Sequence, residues 1–266
     1  MSPCMATFLE TACLLADRAS VMAREAWFST SEVSFKPDGS ALTRSDLDIE
    51  RELRDLLAER HPDHALLGEE FGHSRTESRY KSRYTWVIDP IDGTRQFSVR
   101  LANFGILIAL CDEESPILGI IDHPVSGARC VAATGMGTRF NGQRVHCRAP
   151  VPLSDTFVAL ANPASFDAAT RPVFERLQKA GRMVVYDGGC LAYMALARGA
   201  LDVCLNGPDL DSFDICALVP VVEEAGGVIT LWDGRRPGLA DKGPIVATSS
   251  ASLHAEALEC LRHSSA

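Results

Sequence analysis

The sequence predicts an α/β fold of layered helices and sheets, and three features support this expectation. Short apolar runs bounded by Pro, Gly and Asp, such as TWVID and FGILIALC, are typical of strands in a sheet. In the second half of the chain, segments with apolar residues at helical spacing separate such runs. The chain has 266 residues, of which 46% are hydrophobic, and can therefore bury a large core. This alternation favours helices packed on both faces of sheets.

The first half is predicted to begin with helices and to continue as a sheet. Residues 5–28 have apolar side chains at helical spacing, and a second helix is expected to start at Ser45 or Asp46. The turn formers of KPDGSALT, residues 36–43, predict a mobile loop between these helices. The stretch GMGTRFNGQRV is typical of a hairpin with a tight Asn-Gly corner. Strands are expected at 85–89, 104–111, 117–122 and 128–133.

The second half is predicted to alternate strands and helices. Pro150 and Pro152 mark a boundary, so we expect one half at 1–150 and another at 151–266. Strands are expected at 155–160, 182–186, 202–205, 227–232 and 244–249, and helices at 171–181, 190–199, 214–227 and from about Ser252.

The charge and the cysteines restrict the classes of partner and compartment. A net charge of −9 argues against nucleic-acid binding, which needs clustered Lys and Arg, and it favours cations as ligands. No stretch approaches 18 apolar residues, and Glu10 and Asp17 interrupt the apolar start, so neither a membrane span nor a signal peptide is expected. Nine cysteines without a CxxC pair are typical of reduced, buried thiols. We therefore expect a cytoplasmic protein without membrane or nucleic-acid partners.

The motif DPIDGT carries the strongest chemical signal in the sequence. Asp89 and Asp92 follow the apolar run WVI and are expected to point at the same small volume. Pro90 restricts the backbone, and Gly93 permits a sharp turn. Thr94 supplies a hydroxyl beside the acids, and N–H groups at the start of a following helix would suit a phosphate.

Two further acidic segments are candidates for the same site. GEEFG contains Glu69 and Glu70 between glycines, and SFDICA places Asp214 near the start of a helix. Oxygen ligands from several segments suit Mg²⁺ or Ca²⁺, whereas zinc favours His and Cys. Taken singly, each segment has an ordinary alternative: a turn, a solvated surface pair or a helix cap.

Four motifs in order resemble the inositol monophosphatase superfamily of metal-dependent sugar phosphatases. They are LTRSD, GEEFG, WVIDPIDGT and SFDICALVPVVEEAGG, and the resemblance runs from Lys36 to about Ser249. It implies an αβαβα sandwich of two packed halves and a homodimer. In that arrangement, residues 1–150 would carry most metal ligands, while 151–266 would supply Asp214 and substrate contacts.

The resemblance also implies the metal ligands. Glu69, Asp89 and the carbonyl of Ile91 are similar to the ligands of a first Mg²⁺. Asp89, Asp92 and Asp214 are similar to those of a second, and a third, weaker ion would bring the number to three. Each of these residue types is present at its position in this chain.

The catalytic and substrate-binding residues follow from the same resemblance. Thr94 with Asp46 is similar to the pair that orients and deprotonates the attacking water, with Glu69 beside them. The substrate, a small phosphorylated metabolite, would contact Asp92, Gly93, Thr94, Gly188, Gly189 and Asp214.

For the substrate, the middle of the chain is similar to the histidinol-phosphate phosphatase branch. That branch carries an Asp before the Cys of its CYAY-like motif, where this chain has Gly189 before Cys190. The superfamily tends to place a Glu seven residues before the last metal ligand, where this chain has Gly207. The candidates to replace these acids are Asn206, Asp209 and Asp211.

Histidinol phosphate is therefore the first interpretation, and three alternatives stay open. Two are active enzymes with the same chemistry: an inositol monophosphatase, or a phosphatase for another sugar or polyol phosphate. The remote third is a catalytically idle relative that serves as a binding or regulatory partner. The presence of every expected metal ligand argues against it.

Overall fold

The computed structural model describes residues 3–29, 33–37, 39–74 and 82–262, and it shows the layered α/β architecture that the sequence predicts. Within these ranges, five layers alternate as helix, sheet, helix, sheet and helix. No helix of the described ranges is long and apolar enough to cross a bilayer.

Two helices and a small hairpin form the first layer. The helices cover one face of the larger sheet with apolar side chains such as Leu15 and Leu53. The hairpin falls partly in the segment predicted as a mobile loop, of which Asp38 lies outside the described residues. The elements are α1 (Pro3–Phe28), β1 (Val33–Phe35), β2 (Ala41–Thr43) and α2 (Arg44–Arg60).

The larger sheet has eight strands and is mostly antiparallel. Its strands are β3 (Ala65–Gly68), β4 (Gly72–Ser74), β5 (Tyr84–Asp92), β6 (Gly105–Asp112), β7 (Ser115–His123), β8 (Ala128–Ala133), β9 (Gly137–Phe140) and β10 (Gln143–Arg144), with helix α3 (Thr94–Ser98) after β5. Their order is β10-β9-β8-β7-β6-β5-β3-β4, and β3 pairs with β5 in parallel. Asn141 and Gly142 form the predicted tight corner, and both have positive φ.

The smaller sheet has five strands in the order β12-β11-β13-β15-β14. Strands β12 and β13 lie parallel to β11, whereas β15 is antiparallel to both of its neighbours. The elements of this half are β11 (Phe157–Leu160), α4 (Arg171–Ala180), β12 (Met183–Tyr186), α5 (Gly189–Ala197), β13 (Val203–Leu205), α6 (Ser212–Ile215), α7 (Leu218–Glu223), β14 (Val228–Leu231), β15 (Ile245–Thr248) and α8 (Ala251–Arg262), with 3₁₀ turns at Leu153–Asp155 and Pro163–Ser165.

The two-residue period of β5 explains how one sheet serves two apolar layers. Trp86 and Ile88 pack with α1 and α2, whereas Val87 packs with α5 and α7. Helices α5 and α7 also contact the smaller sheet, so they form the middle layer between the sheets. Helices α4 and α8 cover its other face.

One predicted helix is interrupted. The sequence favoured a single helix over 214–227, but the structure has α6 and then α7 after a short break. Pro220 has no N–H to donate to the carbonyl of Cys216, so the regular hydrogen-bond ladder cannot continue through this point. The break leaves α6 as one short turn that presents Asp214.

Candidate active site

The two acids of DPIDGT meet because β5 contains a bulge. Asp89 pairs with Leu107 and Asp92 pairs with Gly105, so three steps along β5 match two steps along β6. In a regular strand, side chains three residues apart point to opposite faces. The extra residue of the bulge corrects this offset and allows both carboxylates to point at the same volume.

Asp214 completes a group of three carboxylates. It lies in α6, whose first turn is closed by a capping box with Asp211. The Asp211 N–H donates to Asp214 Oδ2 at 2.6 Å, which holds the carboxylate in place. One oxygen from each of Asp89, Asp92 and Asp214 lies within 4.8 Å of the others.

Burial and mutual repulsion disfavour the charged forms of these acids. Burial raises the pKa of Asp89 well above its usual range, and the charges of Glu69, Asp92 and Asp214 raise it further. Burial and the charge of Asp92 likewise raise the pKa of Asp214. Burial raises the pKa of Asp92, although the hydrogen bond from the Cys190 N–H, 2.8 Å long, opposes the shift. A hard divalent cation would remove this repulsion, so the donor set fits Mg²⁺.

Glu69 lies beside this group, and its carboxylate forms an ion pair with Lys36. Its Oε1 accepts a 2.8 Å bond from Lys36 Nζ, which also donates to Glu70 Oε1 at 2.9 Å. Burial, followed by the charge of Glu69, raises the pKa of Glu70 to about 7. Glu69 thus lies beside the three aspartates, as expected, and Glu70 is its buried neighbour.

The turn that carries Glu69 is held by Glu50, which the sequence analysis missed. Glu50 is fully buried, and its carboxylate accepts bonds from the N–H groups of Glu70 at 2.7 Å and Phe71 at 3.2 Å. Arg54 pairs with the same carboxylate at 2.6 Å. A methyl group at Gly68 would overlap it. The sequence signal that could have identified Glu50 is its place directly after Ile49, on the apolar face of α2.

Thr94 and Asp46 lie together, as the resemblance implied. Thr94 Oγ1 is 3.3 Å from Asp46 Oδ1 and 3.1 Å from the Ile91 carbonyl, so its single proton is shared between two acceptors. Asp46 is fully buried and caps α2 through the N–H and hydroxyl of Thr43. Burial raises the pKa of Asp46 to about 6, although the bonds from Thr43 oppose the shift.

Gly93 and Gly189 bring backbone close to the acids. Gly93 has φ 93° at the start of α3, and a Cβ there would lie 3.2 Å from the Asn103 carbonyl. Gly189 has φ 51°, and a Cβ there would lie 3.1 Å from Asp92 Oδ2. Gly188 is the N-cap residue of α5 and directly precedes Gly189.

A cleft of about 240 Å³ opens over these residues, and two sets of side chains line it. The carboxylate wall comprises Glu69, Asp92 and Asp214, with Asp89 buried behind them. The amide wall comprises Gln96, Asn103, Asp187, Asn162 and Asn206.

Of the three residues considered as replacements for the absent acids, two line the cleft. Asn206 accepts a 2.7 Å bond from the Tyr193 hydroxyl, and Asp209 is exposed at the rim. Asp211 instead caps α6 and pairs with Lys242.

A Glu at position 207 would not fit this backbone. A Cβ on Gly207 would overlap the carbonyl oxygen of Ser165, so any larger side chain requires the surrounding loop to shift. The absence of the superfamily's Glu therefore matches the local packing.

Asp187 is a further acid of the cleft that the sequence analysis did not identify. It follows β12 and has φ 56°, a left-handed conformation that is uncommon for residues other than Gly, Asn and Asp. Its Oδ2 accepts a 2.8 Å bond from Gln96 Nε2. The sequence signal was DGG directly before a helix.

Comparison with known proteins places these features in context. The sequence model of the inositol monophosphatase family matches residues 5–265. The chain is 33% identical over 254 residues to the bifunctional phosphatase IMPL2, chloroplastic, of Arabidopsis thaliana, covering 93% of this chain and 72% of that protein. It is 33% identical over 234 residues to the histidinol-phosphatase of Mycobacterium tuberculosis, covering 85% and 88%. The solved structure of an inositol monophosphatase from Zymomonas mobilis matches with a TM-score of 0.86 and 32% identity, covering 96% and 97%.

Proposed function

Because this chain belongs to the inositol monophosphatase family of phosphatases, we propose that it is a Mg²⁺-dependent phosphomonoesterase that hydrolyses histidinol phosphate. One observation carries the proposal: Asp89, Asp92 and Asp214 converge within 4.8 Å. Thr94, which is hydrogen-bonded to Asp46, lies two residues after Asp92 in the same loop. This combination suits a divalent metal beside a group that can take a proton from water.

In the proposal, the carboxylate wall holds the metal. Glu69, Asp89 and the Ile91 carbonyl serve as ligands of one ion, and Asp89, Asp92 and Asp214 as ligands of another. When bound, two or three Mg²⁺ ions supply charge neutralisation for the phosphate and Lewis-acid polarisation of its oxygens. Lys36 must then release Glu69, because its ammonium binds the oxygen that faces it.

Thr94 and Asp46 provide the path for the proton. As water attacks phosphorus, its proton passes to Thr94 Oγ1, and the hydroxyl proton of Thr94 passes to Asp46 Oδ1, 3.3 Å away. A pKa of about 6 for Asp46 suits a general base near neutral pH. Glu69, a carboxylate close to the proposed metal ions, helps to orient the attacking water. The new phosphorus–oxygen bond forms as the ester bond breaks, and the leaving alkoxide takes a proton from solvent water and departs as the alcohol.

The remaining residues bind the substrate. The N–H groups of Gly93 and Thr94 face the phosphate in this proposal, and Asp92 and Asp214 contact the ester from the carboxylate wall. Gly188 and Gly189 form the edge where the alcohol enters, since a side chain at Gly189 would crowd Asp92.

Histidinol phosphate is favoured because relatives that share 33% of their residues over most of this chain include a histidinol-phosphatase. The second candidate, inositol monophosphate or another polyol phosphate, is favoured by the 32% identity with the Zymomonas mobilis inositol monophosphatase. An idle relative would be expected to lack a ligand or the water-activating pair, and this chain keeps both.

Two further predictions accompany the proposal. A cytoplasmic address suits the cysteines, five of which are buried as free thiols in the core. The homodimer implied by the family resemblance stays a prediction, which sedimentation velocity would test.

The test is phosphate release, with and without Mg²⁺, from histidinol phosphate, inositol monophosphates, sugar phosphates and nucleotide 3′-phosphates. Mg²⁺-dependent preference for histidinol phosphate is the expected result. Preference for another ester would keep the mechanism and reassign the substrate. Absence of Mg²⁺-dependent release from every ester would contradict the phosphatase proposal.

A further inference from the structure

Asp187 is held in the cleft by hydrogen bonds from three segments of the chain. Its N–H donates to the Leu160 carbonyl at 2.9 Å, and its carbonyl accepts from Asn103 Nδ2 at 3.1 Å. Its Oδ2 accepts from Gln96 Nε2 at 2.8 Å and from Asn162 Nδ2 at 3.4 Å. These bonds fix the residue in its left-handed conformation, so the carboxylate has a defined position before any ligand binds.

Among the residues that the structure describes, none forms an ion pair with the carboxylate of Asp187. Elsewhere in the chain, the buried acids Glu50, Asp122 and Asp202 each pair with an arginine within 3.0 Å. Asp187 has neutral amides around it, and no ion pair to it is formed by a Lys, Arg or His of the described ranges. Oδ1 has no hydrogen bond among the same residues and can accept one from a ligand.

Asp187 lies near the carboxylate wall of the cleft. It lies three residues before Cys190, whose N–H binds Asp92, and three Cα steps span at most about 11 Å. Asp187 and Asp92 also line the same cleft. A small phosphate ester bound at the carboxylate wall would therefore extend its alcohol towards Asp187.

Gly189 stands where an acid was expected, and its surroundings show why an acid would not fit there. A side chain at Gly189 would need to adopt φ 51° and place its Cβ 3.1 Å from Asp92 Oδ2. An acid there would bring a second carboxylate next to that of Asp92. The carboxylate of Asp187 reaches the cleft from two residues earlier and avoids this contact.

We propose that Asp187 is the specificity residue of the cleft and that its Oδ1 binds a protonated nitrogen of the leaving alcohol. The substrate class is then a phosphate ester of an amino alcohol or of another cationic alcohol. The inference rests on the proposed phosphatase function. It assigns recognition of the alcohol to Asp187, because positions 189 and 207 are glycines without a side-chain acid.

The test compares Asp187→Asn with the wild type on two esters in saturating Mg²⁺. L-histidinol phosphate carries cationic nitrogen, and myo-inositol 1-phosphate has a neutral alcohol. Asn adopts the left-handed conformation and keeps an oxygen for Gln96, so the cleft keeps its shape. The ratio of kcat/KM for the cationic ester to that for the neutral ester should fall about 10- to 100-fold, the loss expected for a hydrogen bond to a charged group.

Asp55→Asn is the matched control, because Asp55 is an exposed acid of α2 that does not line the cleft. Its ratio should change less than about 3-fold, as for solvated surface charges. If Asp187→Asn does not fold, Asp187→Gly replaces it, since Gly adopts φ 56° without strain. An unchanged ratio in the variant that folds overturns the assignment.

A second measurement separates this inference from the proposed function. Equilibrium titration with histidinol, the dephosphorylated alcohol, needs no turnover and should show about 10-fold or greater weakening in Asp187→Asn. Equal dissociation constants overturn the role of Asp187, even if neither ester is hydrolysed. Mg²⁺-dependent release from the inositol ester without preference for the cationic ester would leave the phosphatase in place and overturn only this inference.

Discussion

The carboxylate wall and the amide wall line the same cleft but are held by different kinds of contact. Asp89 and Asp92 are positioned by a bulge within β5, and Asp214 is positioned by a capping box within α6. In contrast, two of the bonds that hold Asp187 come from Asn103 and Gln96, which are 84 and 91 positions away in the sequence. Local backbone geometry therefore aims the aspartates of the first wall, and the Cys190 N–H adds one bond to Asp92 from 98 positions away. The second wall depends mainly on how distant segments pack.

This difference separates chemistry from recognition. A metal site requires several acids forced together, and short-range constraints hold them despite their mutual repulsion. Recognition of the alcohol requires single hydrogen bonds whose positions can shift with the loops that supply them. Substitutions in the carboxylate wall should therefore affect every substrate, and substitutions in the amide wall should affect the choice among substrates.

Asp92→Asn should have the largest effect. Loss of one proposed ligand should reduce kcat by about 10³-fold or more, because the metal supplies several kcal/mol of transition-state stabilisation. The amide keeps the volume and an oxygen for the Cys190 N–H, so the fold should persist. In EDTA, the variant should melt at or above the wild-type temperature, since a repelling charge is gone. Near-wild-type turnover would contradict the metal assignment.

Thr94→Ala should reduce kcat by about 10²-fold, the usual contribution of a positioned proton acceptor. The hydroxyl contacts Asp46 and the Ile91 carbonyl, so its removal breaks the path for the proton while substrate contacts stay. KM should change less than kcat in steady-state assays. Thr94→Ser, which keeps the hydroxyl, is the control and should recover most of the rate. An unchanged kcat in the Ala variant would remove the proposed pair.

Glu50→Gln should weaken Mg²⁺ binding by about 10-fold, as is typical for groups that orient metal ligands. Glu50 holds the turn that carries Glu69, and the substitution leaves Arg54 without its charged partner. Isothermal titration with Mg²⁺ measures the affinity, and urea unfolding should show a loss of about 3 kcal/mol.

The matched control for Glu50 is Glu52→Gln on the same helix. Glu52 pairs with Arg18 at the surface, where such pairs contribute less than about 1 kcal/mol. Equal Mg²⁺ affinities in the two variants would show that Glu50 does not position the turn.

Gln96→Ala should have the smallest effect and sharpens the comparison. The loss of one neutral hydrogen bond to Asp187 should lower kcat/KM for histidinol phosphate about 2- to 10-fold and leave Mg²⁺ affinity unchanged. Gln178→Ala removes a similar bond to the Tyr186 hydroxyl outside the cleft and should be neutral in both measurements. A large loss of Mg²⁺ affinity in Gln96→Ala would indicate that the two walls are not separate.

Much of the fold was predictable because its signals are local. The expected strand at 128–133 matches β8, and the Asn-Gly hairpin matches β9 and β10. Strands β3 and β4 were not predicted, because each has only three or four residues and depends on pairing within the sheet. The prediction of one continuous helix over 214–227 was wrong, since Pro220 has no N–H with which to continue the hydrogen-bond ladder.

By itself, the sequence predicted the acids of the candidate site from three motifs, and the order of the layers followed from the family resemblance that these motifs carry. Two-residue and helical periods assign each apolar side chain to a face, and DPIDGT encodes its own bulge and turn within six residues. Only the tertiary structure decided which residues join them from elsewhere. Glu50 accepts a hydrogen bond from the Glu70 N–H, 20 positions later in the sequence, and Asp187 accepts one from Gln96, 91 positions earlier. Such contacts depend on how whole layers pack, because no local pattern records which distant donor will lie beside a given carboxylate.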